Sequence, residues 1–242
     1  MVSVTLLGLM AMFRVPDDSF ENTTAPSYLW GGNVGISSRE LPQVHALQTG
    51  ISPGGLIETI DGPVAAKSIE QGQLVLTQAH GYRPILWTGR IHRHYFGDAR
   101  SLPMRIAPGT LGKSSQSTGT LLAPDQHIHL RHALNEDLFG HENVLVRAKD
   151  LSHLRGVSPA SGRYAVDWVQ LLFDQVELVK SDGLWVESML ADQTVLGTAP
   201  ADLLADVQNA VPGLRYEHRR ASYAHPFPVL NAQEVSMLGL DG

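Results

Sequence analysis

Two histidine pairs and one serine are the first residues in this sequence whose spacing suggests chemistry. His92-x-His94 and His127-x-His129 each set two imidazoles two residues apart. Side chains alternate along a strand, so each pair would share one face and offer two nitrogens to a metal ion. His132 is near in sequence, but no carboxylate or third histidine stands at a recognisable ligand spacing. Metal ligands and cofactors are therefore left unassigned, and hydrogen-bonded or exposed histidines are expected. Gly50-Ile51-Ser52-Pro53-Gly54 fits the G-x-S-x-G pattern of a nucleophile elbow, in which the residue after the serine lends its N–H to an oxyanion. Pro53 has no N–H to lend and no helix pattern follows, so a serine hydrolase is excluded. The run Gly31-Gly32-Asn33-Val34-Gly35 lacks the Lys-Ser/Thr of a phosphate loop and is read as a turn.

Composition narrows the field further. The chain has 242 residues, 18 Lys and Arg against 24 Asp and Glu, and no cysteine. Disulfides, thiolate metal sites and a thiol nucleophile are thereby excluded. A formal charge of -6 gives no reason to expect nucleic acid as a partner. Met1 to Phe13 is apolar but too short to cross a bilayer of about 30 Å. It has no Lys or Arg ahead of it, so neither a membrane span nor a cleavable signal is expected. A soluble protein of open cellular address follows. Arg215, His218, Arg219 and Arg220 form a small basic cluster, read as a solvated face.

The elements that must position these residues are mostly strands. Short β-type runs stand at 56–60, 74–77, 85–89, 104–106, 120–122, 127–130, 144–147, 166–173, 177–180 and 184–187. Asp61-Gly62, Ser161-Gly162 and Asp182-Gly183 supply turn residues between them. One late helix is expected after Pro200, carried by Leu203, Leu204, Val207 and Val211 and stopped at Pro212-Gly213, packed on the outside. Residues 14–50 show little periodicity and read as an arm that Tyr28 and Trp30 help to pin, and GKSSQSTG at 112–119 reads as a polar loop.

Several blocks in order resemble the Hint fold, shared by inteins and the autoprocessing half of Hedgehog proteins, in its bacterial variant. They are SPGGLIETIDGP at 52–63, GQLVLTQAHGYRPILWTGR at 72–90, PMRIAPGTLG at 103–112, LLAPDQHIHL at 121–130 and VQLLFDQVELVKSDGLWVES at 169–188. The resemblance implies a mainly β, compact horseshoe with an approximate internal twofold, here with an N-terminal arm (1–49), a Hint-like domain (50–190) and a C-terminal helical extension (191–242). It also implies autoproteolysis. Family members carry a nucleophilic Cys, less often Ser, at the first domain position, and a histidine in a Thr/Ser-x-x-His block assists departure of the amide nitrogen.

By that resemblance the nucleophile position is Gly50, and the block histidine is His127 with Pro124 three residues before it. The second family histidine falls on Val176, and Gln170 stands where many relatives have His. The expectation is therefore a fold kept without its self-cleaving chemistry, acting as a binding or structural module with room for a protein partner. The alternative is cleavage near residues 48–52 by an N–O acyl shift, with Ser52 or Thr49 as nucleophile and His127 as acid.

Overall fold

A computed structural model of the chain describes residues 48–95, 101–111, 119–162 and 165–240. The expected arm up to residue 47 and the polar loop at 112–118 lie outside the described residues. Fourteen strands run through the described part: β1 (Leu56–Thr59), β2 (Gly62–Ala65), β3 (Leu74–Thr77), β4 (Gly81–Pro84), β5 (Trp87–His94), β6 (Met104–Ile106), β7 (Thr120–Leu122), β8 (His127–Arg131), β9 (Asn143–Arg147), β10 (Val157–Pro159), β11 (Ala165–Leu172), β12 (Leu178–Ser181), β13 (Leu184–Glu187) and β14 (Val229–Leu230). Five helices accompany them: α1 (Asn135–Phe139), α2 (Gln193–Gly197), α3 (Ala201–Ala210), α4 (Glu217–Arg220) and α5 (Ala232–Met237).

The largest sheet has the order β14-β9-β8-β13-β12-β1-β3-β4, with β2 paired to β1. β10, β6 and β7 form a second sheet, and β5 and β11 a long two-stranded ribbon. Every strand run expected from the residue pattern forms, with ends shifted by two residues or less at all but one place. That place is the run at 85–89, where the ladder starts only at Trp87 and continues to His94. Ile85 and Leu86 bond instead to the carbonyls of Gln73 and Leu172. At the β12–β13 turn, Asp182 (φ 47°) and Gly183 (φ 85°) both take positive φ, the two-residue reversal that matches strand twist.

Alternation places the core. Ile57, Val75, Ile106, Leu122, Ile128, Val146, Leu171, Val179 and Val186 are buried in one cluster drawn from all the main strands. Fully burying each such side chain is worth roughly 1.5–3 kcal/mol. A second cluster joins the ribbon to the tail: Trp87, Leu172 and Met189 pack on Leu196, Val207, Leu214 and Tyr223. α3 is the helix expected from the spacing. It lies on the outside and buries Val207 while Asp202 and Asp206 stay exposed. The other four helices have only four to six residues, too few to leave a periodic signal.

The tail is tied down by more than apolar contact. β14 pairs parallel with the edge strand β9, and Tyr223 donates its hydroxyl to the carbonyl of Phe173 at 2.7 Å. The arginines expected to be a solvated face are partly spent on anchoring: Arg219 donates to the carbonyl of Asp174 and Arg220 to that of Leu214, each at 2.6 Å.

Candidate functional site

The segment at 48–52 runs between β7 and β11. Ile51 exchanges backbone hydrogen bonds with Val169 (3.1 and 2.9 Å), Ser52 donates to the carbonyl of Leu121 (3.3 Å), and Ala123 donates to that of Gly50 (3.2 Å). This threading carries the Thr49–Gly50 peptide bond into the interior, where two glutamines hold it from opposite ends. Gln170 on β11 donates from Nε2 to the Thr49 carbonyl at 2.6 Å. Gln126, just before β8, accepts the Gly50 N–H on Oε1 at 2.7 Å. The Gln126 amide is itself oriented, because its Nε2 donates to the carbonyls of Glu187 (2.7 Å) and His127 (3.2 Å). An amide so fixed keeps its oxygen toward Gly50.

Gly50 is shaped to its place. Its φ of 138° is open to glycine and to few other residues, and a Cβ there would sit 2.5 Å from Cβ of Trp168 and 3.0 Å from Nε2 of Gln170. Trp168 is fully buried and donates its indole N–H to the Tyr95 hydroxyl at 2.5 Å, so it has no room to retreat.

Beside the bond opens a pocket of about 360 Å³, lined among others by Thr49, His127, Arg147, Glu187, Val195 and His225. Glu187 closes β13 with its side chain only 3% exposed. Its two oxygens accept from two imidazoles: Nδ1 of His127 reaches Oε2 and Nδ1 of His225 reaches Oε1, each at 2.7 Å. The two rings stand edge to face with centroids 4.7 Å apart. Burial pushes the Glu187 carboxyl up, yet the hydrogen bonds and charge of the two histidines carry it below its ordinary value. The hydrogen bond to Glu187 raises His225, against the effect of burial and with help from the charges of Glu187 and Asp192. Asp125 and Arg147 also line the pocket, but they are paired with Lys149 (2.5 Å) and Asp150 (2.7 Å).

The residues picked out from sequence are thus divided. Thr49 and His127 share this pocket. Ser52 lines another, with Gly55, Arg105, Asp167 and Asp182, which contains neither of them. Val176 is buried against the second core and borders a third pocket with His80 and Glu177. His127 does not contact the Gly50 amide; Gln126, one residue earlier, takes that position, and the residue three before it is Ala123 rather than Pro124. His129 is bonded to Gln78 and Asn143, and burial lowers its pKa. His92 and His94 meet on the exposed face of β5, Nε2 to Nε2 at 3.1 Å, and His92 Nδ1 lies 2.5 Å from Asp167.

Three members of the site went unmarked in the sequence. Gln126 carried the one available signal, adjacency to His127. Glu187 ends an ordinary strand run, and His225 sits among prolines and aromatics with no periodicity to single it out.

The comparisons with known proteins meet this geometry at the junction. The Hint domain family matches residues 49–193, a span that starts at Thr49 and covers more than half of the chain. The chain belongs to the Hint domain family. The mainly β architecture is that of a Hint domain, and His225 lies beyond the matched span, supplied by the tail. Similar solved structures are inteins. The gp41-1 intein is 8% identical with a TM-score of 0.34, over 58% of this chain and 97% of its own. The MchDnaB-1 intein is 10% identical with a TM-score of 0.34, over 57% and 98%. A splice-inactive variant of the AceL NrdHF class 3 split intein is 13% identical with a TM-score of 0.38, over 58% and 97%. No curated protein matches the sequence. No helix among the described residues is long and apolar enough to cross a membrane.

Proposed function

We propose that this Hint domain leaves its own chain intact at Thr49–Gly50 and serves as a binding module through the pocket beside that bond. The observation that carries the reading is the pair of glutamines on the peptide. Acyl shift needs a nucleophile on residue 50, a donor at the carbonyl oxygen and an acid at the leaving nitrogen. Gln170 supplies the donor. Residue 50 has no side chain, and the group at the nitrogen is an amide oxygen that accepts a hydrogen bond and has no proton to give.

Thr49 supports a second reading because it lines the same pocket as His127. Its hydroxyl would close a four-membered ring on its own carbonyl but a five-membered ring on that of Gln48. Any acyl shift from Thr49 therefore breaks the Gln48–Thr49 bond.

Intact mass of the purified full chain, followed for days at neutral pH with and without hydroxylamine or a strong thiol, separates these readings. A constant 26.3 kDa is the expected result. Loss of the first 49 residues would overturn the proposal. Loss of the first 48, abolished in Thr49→Ala, would establish the second reading in its place.

A further inference from the structure

We propose that His127, Glu187 and His225 bind a divalent transition-metal ion, with Zn²⁺ the best suited. The site does not depend on whether the Thr49–Gly50 bond is cleaved.

Three observations point the same way. The donor set is two imidazoles and one carboxylate, the combination that holds zinc, iron and related ions with positions left for water or a ligand. One ligating atom from each residue lies within 4.8 Å of the others. Ligands around one tetrahedral ion at about 2.0–2.2 Å stand roughly 3.3–3.5 Å apart, so the set would draw in by at most about 1.5 Å. The second observation is electrostatic. Glu187 is buried, and its ion-pair partners among the described residues are two histidines. With neutral imidazoles, this buried carboxylate has no fixed cation beside it, which is costly in a low-dielectric interior. Arg147 in the pocket wall is already paired with Asp150, and Lys149 is paired with Asp125.

The third observation is access. Each Nδ1 faces a Glu187 oxygen at 2.7 Å, so an ion joining the three residues takes the place of the proton that each ring shares with the carboxylate. Both rings line the open pocket of about 360 Å³. An ion held by three residues that line the pocket would keep a position open to it, so an anionic or carbonyl oxygen ligand is the class it would take. Because His225 comes from the tail, metal binding would also clamp the tail to the Hint domain.

The exposed pair His92 and His94 is the built-in competitor. Its two nitrogens at 3.1 Å can capture an ion without any third ligand from this chain. The test is titration of the metal-free full chain with Zn²⁺ at pH 7.5 by calorimetry, repeated with Co²⁺ to read the visible absorption of a tetrahedral site. One tight equivalent is expected, with a rise in Tm. His127→Ala and His225→Ala should each weaken binding by at least about tenfold, and the His92→Ala/His94→Ala double variant should leave the tight equivalent in place. His225 is one-third exposed, so that variant is expected to fold even if one at the buried Glu187 does not. Absence of saturable binding in the wild type would overturn the proposal. So would tight binding that survives both single variants or disappears with the His92/His94 pair.

Discussion

Two groups of residues lining one pocket differ in kind. At the Thr49–Gly50 peptide the contacting side chains are Gln126 and Gln170, groups that do not titrate at any ordinary pH. Lining the same pocket are His127, Glu187 and His225, two imidazoles and a carboxylate that hydrogen-bond one another. The glutamines are fixed by strands inside the family-matched span, whereas the histidine cluster is complete only when the tail delivers His225. The difference teaches that a Hint frame can keep its interior peptide in a hydrogen-bonded cradle while the proton-active groups face the pocket rather than the bond.

The most forceful way to break that contrast is to restore a nucleophile. Gly50→Cys adds a Cβ 2.5 Å from Trp168 on a backbone at φ 138°, combining overpacking with strain. A loss of about 4 kcal/mol is expected from the two costs together. Thermal or denaturant unfolding should show the loss, and no cleavage should appear in intact mass, even with Gln126→His added. Cleavage at residue 50 in the double variant would show that the cradle still tolerates the chemistry.

Gln126→Ala is the next largest. It leaves the buried Gly50 N–H and the Glu187 carbonyl without partners, at a cost of about 2 kcal/mol. Gln170→Ala should cost about 1 kcal/mol, because it removes one donor from a carbonyl that borders an open pocket. Equal effects would mean that the two glutamines form one coupled unit, a point that the double variant would measure directly.

How much of this was legible follows from the range of each interaction. Strands such as Leu74–Thr77 and Leu184–Glu187 announce themselves because their pattern is local and their turns carry Gly or Asp. β2, β4, β10 and β14 leave no such signal: they are short, largely exposed on one or both faces, and exist because a neighbour offers a free edge. The site was legible only in part. Thr49, Gly50, His127 and Gln170 stand out through a resemblance to family blocks, while Gln126 was hidden by a one-residue choice of register. Ser52 looked near the junction in sequence, yet the Ile51 bridges place it at a different pocket. The ion pair from Glu187 to His225 spans 38 residues and crosses from the Hint domain into the tail, so no local pattern encodes it.

The smallest effect bears on the titrating side of the comparison. In the folded chain His225 is raised from its ordinary 6.5, first by its hydrogen bond to Glu187, and Glu187 is held below its ordinary 4.5. A raised histidine contributes stability that is complete below pH 6.5 and fades as the pH climbs through its folded pKa. A lowered carboxylate contributes stability present above pH 4.5 and lost as the pH falls through its folded pKa. The two contributions overlap fully between about pH 4.5 and 6.5. Metal-free wild type should therefore lose Tm between pH 6 and 8 by a few degrees more than His225→Gln, whose side chain keeps a hydrogen bond but no charge. Zinc reverses the slope, since it competes with protons for the same imidazoles and should raise Tm more at pH 8 than at pH 5.5. Parallel Tm curves for wild type and His225→Gln without metal would mean that the tail histidine carries no charge at this site. The contrast between the two groups of residues would then rest on Glu187.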